Sequence, residues 1–386
     1  MADPPIVPRS VSRSVSRSVP VAPGAVPVMP RPASGAAGAL PVVPGCQFAS
    51  DNAAGICPEA WEALERANAG CVPSYGGDTW TKRAADLLRE LFERDAEIFF
   101  TFNGTAANAL ALAAICRSHH AILAHGISHV ETDECGAPEF FTGGAKVVLL
   151  PGARGKIAAE AIDAAVARGR EVHFSKARAV SVTQATELST VYSVGELAAV
   201  REACSRHGLR LHMDGARFAN AVAALGVAPR AITWEAGVDV LSLGGSKNGL
   251  GIGEAVVFFD RGLAEEFAWR MKQAGQLASK MRYLAAPWVG LLESGAWLAN
   301  AARANAAAAR LEAGLEGVPG TEILIERGAN AVFVRFAPAL AEGLRGRGWR
   351  FYEFPDAGGS RLMCSWATTD GEIDAFLADA RACAAR

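Results

Sequence analysis

Residues 240–253 read VLSLGGSKNGLGIG, and this stretch decides the fold class. A mostly apolar run over 238–243 stops at two glycines, and a second apolar run, AVVFF, follows at 255–259. Short runs with little polar alternation are typical of strands that are buried on both faces of a sheet. The turn over 244–253 contains one charged residue, Lys247. In a doubly wound sheet ligands bind beyond the carboxyl ends of the strands, which is where Lys247 is expected to lie.

Strand and helix patterns alternate on both sides of this stretch, starting at about residue 50. Further strands are predicted at 97–102, 121–124, 146–150, 179–184 and 209–214, and helices at 81–94, 103–118, 156–169 and 193–208. This alternation predicts an α/β fold with a mostly parallel central sheet flanked by helices. After Arg261 the elements become shorter and more mixed, which indicates a smaller α+β domain at the C-terminus. We expect a large domain over 46–290 and a small one over 291–386.

Composition excludes several classes of protein. The chain of 386 residues is 51% apolar and 20% charged, with a net charge of −2, so no basic surface for nucleic acid or anionic membrane is expected. No apolar stretch reaches the roughly 18 residues of a membrane-spanning helix. Eight scattered cysteines without a Cys-x-x-Cys motif favour the reducing cytoplasm, and no histidine pair has metal-ligand spacing.

The first 45 residues differ in composition from the rest. They contain the repeat RSVSRSVSRSV at 9–19, which is followed by Pro/Ala/Gly-rich chain. Such a segment cannot bury a core, so we expect a disordered low-complexity tail. Its Arg- and Ser-rich, acid-poor character is also found in organelle transit peptides, and we favour the dispensable tail.

Two strand ends carry residues that could perform chemistry. Lys247 is either a solvated turn lysine or an amine beside an apolar wall, where it would be available as a nucleophile. The strand in LHMDGARFANA, at 211–221, ends in Asp214. An aspartate at that position can be a helix N-cap, a metal ligand or the partner of a ring nitrogen.

Two further features follow other strands. In FTFNGTAANALAL, at 100–112, Gly104 and Thr105 open a helix directly after a strand. This is either a plain capped helix or a phosphate cradle, since a helix N-terminus presents free amides. His129 follows the strand at 121–124 and is either structural or part of the same site. All four features lie in one order along one sheet, which predicts a single site.

At this point the sequence resembles the fold-type-I pyridoxal-phosphate enzymes, and more narrowly the threonine aldolases of the β-eliminating lyase group. The resemblance covers the chain from Phe48 to the C-terminus. It rests on the motifs SDNAAG (50–55), SYGGDTWT (74–81), NGTAAN (103–108), SHVETDE (128–134), HMDGARFANA (212–221), SLGGSKNG (242–249) and SRLMCSW (360–366). The resemblance implies pyridoxal 5'-phosphate as cofactor.

The resemblance also implies a role for each matching residue. Lys247 would bind the cofactor aldehyde covalently, and Asp214 would pair with the ring nitrogen, which makes the ring an electron sink. Arg217 and Arg361 would bind the substrate carboxylate, for which the planar guanidinium is suited. The remaining roles are phosphate binding by Gly104 and Thr105, ring stacking by His129, carboxylate contact by Ser50, lining of the site by Tyr75 and Asp78, and contact with a neighbouring subunit's phosphate by Arg270 and Lys272. The last pair predicts a homo-oligomer, a dimer or a tetramer.

One segment departs from the family pattern. Where family members have Glu-Asn-Thr-His, this chain has VTQATELST at 182–190, without a histidine. Gln184 and Thr186 occupy the region and are predicted to contact the substrate. A neutral amide or hydroxyl would hold the β-hydroxyl less firmly than a charged partner does, which predicts weak discrimination between L-threonine and L-allo-threonine.

The implied reaction is the cleavage of L-threonine, L-allo-threonine and related β-hydroxy-α-amino acids to glycine and an aldehyde. The base that acts on the hydroxyl is His129 itself or a water held by His129 and Glu134. A β-eliminating lyase or an aminotransferase would use the same cofactor residues and stays an alternative. A non-catalytic cofactor-binding protein is disfavoured because Lys247, Asp214 and both arginines are present. A nicotinamide enzyme is disfavoured because the first glycine-rich turn lacks Gly-x-Gly-x-x-Gly.

Overall fold

A seven-stranded sheet forms the centre of the computed structural model, which describes residues 47–169 and 171–385. The tail predicted over 1–45 lies outside the described residues. Along the sheet the strands stand in the order β1-β7-β6-β5-β4-β2-β3. They span β1 Glu97–Thr101, β2 His120–His125, β3 Lys146–Leu150, β4 Lys176–Thr183, β5 Arg210–Gly215, β6 Val240–Leu243 and β7 Glu254–Phe258.

The sheet is mostly parallel, as predicted. Only β7 runs against its neighbours: it pairs antiparallel with both β1 and β6, while the other pairings are parallel. Every residue of β6 and β7 is buried, which explains why these strands read as continuous apolar runs. The chain reverses direction between β6 and β7, so the turn with Lys247 lies at the carboxyl end of β6.

Helices cover the sheet and connect its strands. Their bounds are α1 Pro58–Ala67, α2 Thr79–Phe92, α3 Gly104–Ile115, α4 His129–Thr132, α5 Ala137–Thr142, α6 Ala159–Arg168, α7 Val194–His207, α8 Phe218–Leu225, α9 Phe267–Gln273, α10 Arg282–Glu293, α11 Ala296–Leu315, α12 Pro338–Gly346 and α13 Asp370–Ala384. Most of α3 is buried, and it packs across β5, β6 and β7, so its N-terminus reaches the carboxyl ends of these strands. None of the helices in the described part of the chain is long and apolar enough to cross a membrane.

A second, antiparallel sheet lies in the C-terminal part, in the order β10-β11-β9-β8. Its strands are β8 Thr321–Ile323, β9 Ala331–Phe336, β10 Tyr352–Phe354 and β11 Gly359–Met363. Phe48, near the start of the described chain, packs in the core of this part and accepts a hydrogen bond at its carbonyl from Met363 N (2.8 Å). The two sheets fit the predicted fold class, and the domain bounds 46–290 and 291–386 stay a prediction.

Candidate active site

A cavity of about 210 Å³ opens beyond the carboxyl ends of β5 and β6. Five of the residues that the sequence predicted to share one site do line it: Lys247, Asp214, Gly104, Thr105 and His129. The strand ends and the N-terminus of α3 bring them together, although they are far apart in sequence. The other lining residues are Asn52, Asn103, Ala107, Asn108, Glu187, Ala216, Ser242, Leu243, Gly244, Ser246 and Glu254.

Asp214 is buried at the end of β5 and held from two sides. Its Oδ1 accepts a hydrogen bond from Ala216 N (2.9 Å), and its Oδ2 accepts one from Asn108 Nδ2 on α3 (2.8 Å). It does not cap the following helix, α8, whose N-cap is Arg217. Of the three alternatives that the sequence left open for Asp214, the N-cap is therefore wrong. The carboxylate faces the cavity with a fixed orientation.

The turn that contains Lys247 is rigid because backbone and side-chain atoms of other elements pack closely against its glycines. A Cβ added to Gly244 would lie 2.2 Å from Ala216 O, and one added to Gly245 would lie 2.6 Å from the Trp288 ring. The Glu254 carboxylate, at the start of β7, accepts a short hydrogen bond from Gly245 N. Burial raises the pKa of Glu254, while its hydrogen bonds with Gly245 and Ser246 work against this rise. Lys247 is thus presented to the cavity by a turn that cannot shift easily.

The N-terminus of α3 forms the third wall. Asn103 is its N-cap and accepts a hydrogen bond at Oδ1 from Ala106 N (2.9 Å), so the capped-helix interpretation holds. Gly104 and Thr105 face the cavity, and a Cβ on Gly104 would meet no atom within 4 Å. The positive end of the helix dipole and this open space suit a phosphate group. The two interpretations of this helix are therefore compatible.

His129 belongs to a hydrogen-bonded network. Its Nδ1 lies 2.8 Å from Glu134 Oε1, which also accepts a hydrogen bond from Asn108 Nδ2 (2.8 Å). Burial works to lower the pKa of His129, but the hydrogen bond with Glu134 and the charge of Asp214 hold it above its usual value. Burial raises the pKa of Glu134. Asn108 thus links the His129–Glu134 pair to Asp214.

Arg217 is buried and bound to a carboxylate of the chain itself. It donates from Nε to Asp51 Oδ2 (2.7 Å) and from Nη2 to Asp51 Oδ1 (3.0 Å). Burial works to raise the pKa of Asp51, but the charges of Arg217 and Lys247 hold it below its usual value. The carboxylate contact predicted for Arg217 stays a prediction, and the structure gives this guanidinium an internal partner.

Arg361, on β11, has weaker internal partners. Its Nη2 donates to Ala49 O (3.3 Å), and its buried Nε has no hydrogen-bond partner among the described residues. The guanidinium lies 5.6 Å from the Phe354 ring centre. Burial lowers the pKa of Arg361, and the charge of Arg217 adds to this effect. An unused guanidinium donor suits an anionic group, but Arg361 is not among the residues that line the cavity, and the carboxylate contact predicted for it stays a prediction.

Several predicted residues lie outside the cavity of this chain. The Ser50 side chain accepts a hydrogen bond from Asn52 N (3.2 Å), and Asp78 caps α2. On the surface, the Lys272 ammonium lies 4.6 Å from the centre of the exposed Tyr75 ring, and Arg270 lies in the same helix, α9. The roles assigned to these five residues stay predictions.

Polar side chains of the segment 182–190 are hydrogen-bonded within the chain. The Gln184 side chain is buried and bonded to the backbone of Tyr192 through both its amide nitrogen and its amide oxygen (2.9 Å each). Thr186 Oγ1 lies 2.8 Å from Thr190 Oγ1. Neither residue lines the cavity, whereas Glu187 does. These polar side chains hold the loop together, and the substrate contacts predicted for Gln184 and Thr186 stay predictions.

Sequence reasoning missed Asn108, Asp51 and Glu254 as site residues and did not single out Glu187. Asn108 stands in the apolar run of α3, where a buried amide needs partners, and this could have marked it. Glu254 is a charged residue in front of a buried strand and could have been noted for the same reason. The partners of Asp51 and Glu187 are distant in sequence, and no local pattern reveals them.

The described fold and site define an enzyme of fold type I among the pyridoxal-phosphate enzymes. This assignment rests on a mostly parallel sheet that has a lysine beyond the end of one strand and an aspartate at the end of the neighbouring strand. The chain belongs to the beta-eliminating lyase family, whose family model matches residues 47–338.

Three comparisons place the chain more narrowly. It is 53% identical over 336 residues to a low specificity L-threonine aldolase of Pseudomonas sp. (strain NCIMB 10558), which covers 87% of this chain and 97% of the relative. It is 52% identical over 335 residues to a protein of the same name from Pseudomonas aeruginosa, with the same coverage. The solved structure of a threonine aldolase from Leishmania major superposes with a TM-score of 0.82 at 29% identity, covering 88% of this chain and 99% of that chain.

Proposed function

We propose that this protein is a pyridoxal-phosphate-dependent aldolase that cleaves L-threonine, L-allo-threonine and related β-hydroxy-α-amino acids to glycine and an aldehyde. The observation that carries the proposal is the convergence of Lys247, Asp214 and the N-terminus of α3 on one cavity. The high identity to two proteins named low specificity L-threonine aldolase supports the choice of substrate.

The residues present fit the cofactor. An amine, a carboxylate and a helix N-terminus stand around one cavity and match the aldehyde, the ring nitrogen and the phosphate of pyridoxal phosphate. Lys247 would hold the aldehyde carbon, Asp214 the ring nitrogen, and Gly104 and Thr105 the phosphate. When bound, the cofactor supplies a conjugated ring that stabilises the electron pair left at Cα.

The other residues of the site bind and orient the substrate. Arg361 binds the carboxylate through the donor that has no internal partner. A fixed carboxylate fixes the rotation about the bond from nitrogen to Cα, and this selects which bond at Cα breaks. Asn108 keeps the Asp214 carboxylate aimed at the cavity, since it donates to Oδ2. His129 faces the cavity with one ring nitrogen held by Glu134, which fixes the plane of the ring.

The test is product analysis with the purified protein. Wild-type protein with added pyridoxal phosphate is incubated with L-threonine, and acetaldehyde and glycine are measured. We expect both in equal amounts, and none from Lys247→Ala. Borohydride reduction followed by peptide mapping should label Lys247; a label on another lysine would contradict the assignment.

The same experiment separates the alternative enzymes. A β-eliminating lyase would release ammonia and a keto acid, and an aminotransferase would need a keto acid as second substrate. Either product pattern in the absence of acetaldehyde would overturn the aldolase proposal.

The proposal extends to the location and assembly of the protein. The seven cysteines within the described residues are all free, which supports the cytoplasm. We propose a homo-oligomer, most simply a dimer or tetramer, whose partner subunit receives Arg270 and Lys272.

A further inference from the structure

The loop between β4 and α7 is held in place by hydrogen bonds of its own polar side chains. Gln184 is bonded to the backbone of Tyr192, as described above, and Thr190 Oγ1 donates to Arg154 O (2.7 Å). Ser189 O accepts a hydrogen bond from Gly328 N (2.8 Å), and Ser189 Oγ accepts one from Ala331 N (3.1 Å). The loop therefore has a fixed path along the cavity.

Glu187 is the residue of this loop that lines the cavity, together with Lys247, His129 and Asn52. Its side chain is partly buried, and its carboxylate has no hydrogen-bond partner within residues 47–169 and 171–385. Burial raises the pKa of Glu187, whereas the positive charges of Arg217 and Lys247 work against this rise.

The other carboxylates that line the cavity are already engaged. Asp214 accepts hydrogen bonds from Asn108 and Ala216, and Glu254 accepts one from Gly245. Glu134 lies behind His129 and does not line the cavity: its Oε1 is hydrogen-bonded to Asn108 and lies 2.8 Å from His129 Nδ1, and its Oε2 is buried without a partner among the described residues. Among the described residues that line the cavity, Glu187 is thus the carboxylate whose oxygens are free to accept a hydrogen bond from a ligand. A ligand hydroxyl that donates to a Glu187 oxygen would replace the water that solvates this carboxylate in the open site.

We propose that Glu187 is a catalytic residue that accepts the proton of the substrate's β-hydroxyl. This role rests on the proposed function. The O–H bond breaks and its proton moves to a Glu187 oxygen; the O–H electron pair forms the second bond of the aldehyde C=O. The Cα–Cβ bond breaks and its electron pair stays with Cα, which takes up one proton to give glycine. The step is neutral in oxidation state and needs no further reactant.

The test compares ligands with and without a β-hydroxyl in the loaded enzyme. We expect Glu187→Gln to lower kcat/KM for L-threonine by at least about 100-fold, the usual contribution of a general base. The dissociation constants of glycine and L-2-aminobutyrate, measured by calorimetry, should change less than about threefold, because neither ligand has a β-hydroxyl. Glu187→Asp, which keeps the charge, should retain more activity than Glu187→Gln.

A matched control is Glu326→Gln, because Glu326 is exposed and pairs with Arg154 (3.0 Å), next to the same loop. It should behave as wild type. Wild-type turnover in Glu187→Gln would overturn the role of Glu187 and leave the aldolase proposal intact. Equal losses of glycine binding and turnover would also overturn it, since they would show a structural role. A wild-type protein that releases no aldehyde would overturn the proposed function and this role with it.

Discussion

At the scale of single residues, Asp214 matters through its negative charge. We expect Asp214→Asn to lower kcat about 100-fold or more, because an amide cannot keep a ring nitrogen protonated and the loss of such a partner costs about 3 kcal/mol in the transition state. Circular dichroism should show an intact fold. Asp163→Asn, in an exposed ion pair with Arg206, is the control. Near wild-type turnover of Asp214→Asn would mean that Asp214 is structural.

The pair of Asp51 and Arg217 should govern stability. Asp51→Asn would leave the buried Arg217 charge without its carboxylate, and breaking a buried pair in this way costs about 3–5 kcal/mol. The pKa of Asp51 is lowered in the folded state, so the carboxylate's contribution is complete above the unfolded-state pKa of about 3.9. It disappears as the pH falls further, through the folded-state pKa.

Urea unfolding of wild type and Asp51→Asn measures this effect. The difference in free energy of unfolding should be large at pH 7 and should shrink below about pH 3.9. A difference that stays constant down to pH 3 would show that the ionised form of Asp51 is not what stabilises the fold.

At the scale of elements, the turn between β6 and β7 is limited by backbone contact. Gly244→Ala would place a Cβ 2.2 Å from Ala216 O, and this carbonyl follows directly after β5, the strand that contains Asp214. Since backbone cannot move aside as a side chain can, we expect a loss of about 1–3 kcal/mol or more and a weakened cofactor site. Gly251→Ala, in the same turn, meets Ile56 at an ordinary 3.6 Å and should be tolerated.

Thermal melting and cofactor absorbance of the two alanine variants provide the measurement. Equal melting temperatures for Gly244→Ala and Gly251→Ala would show that the β6–β7 turn adapts freely, contrary to the close contacts that surround it.

The sequence predicted elements well where their hydrophobic pattern was local. The strand predicted at 146–150 agrees with β3 to the residue, because its apolar run stops at a proline. Helix α10 was not predicted, since it contains Pro287, which normally indicates a break. The predicted domain bound at residue 290 falls within this helix.

The site could be predicted from the sequence where a reactive side chain lies at the end of a predicted strand. Lys247 and Asp214 follow buried strands, so the topology alone brings them to one edge of the sheet. Gln184 appeared available because its partner, the backbone of Tyr192, is a tertiary contact that no local pattern shows. Glu187 was not predicted for the same reason. It differs from the other carboxylates that line the cavity only because their oxygens already accept hydrogen bonds, and the sequence does not show this.

At the scale of the whole molecule, the segment that starts at residue 47 links the C-terminal sheet to the site. Phe48 packs in the C-terminal core, and three residues later Asp51 binds Arg217. Arg361, on β11, donates to Ala49 O in the same segment. The C-terminal sheet therefore supplies the cation that we assign to the substrate carboxylate, and the site depends on both sheets.

The exposed surface at α9 is where we expect a second copy of the chain to bind. The Trp269 side chain is 74% exposed, and Tyr75, which lies against Lys272, is 52% exposed. Large aromatic side chains and arginines are enriched in protein–protein interfaces. We expect the wild-type protein to be a dimer or tetramer by light scattering, and Trp269→Asp to shift it towards monomer.

The same variant tests whether assembly matters for activity. If Arg270 and Lys272 contact a neighbouring subunit's phosphate, Trp269→Asp should weaken cofactor binding and lower activity together with the mass, and raising the protein concentration should restore both by mass action. Phe140→Asp, at a residue that is 76% exposed on α5, is the control and should leave mass and activity unchanged. A wild-type protein that is monomeric and fully active would contradict both the assembly and the roles of the basic pair, because a site complete within one chain needs no cation from a second.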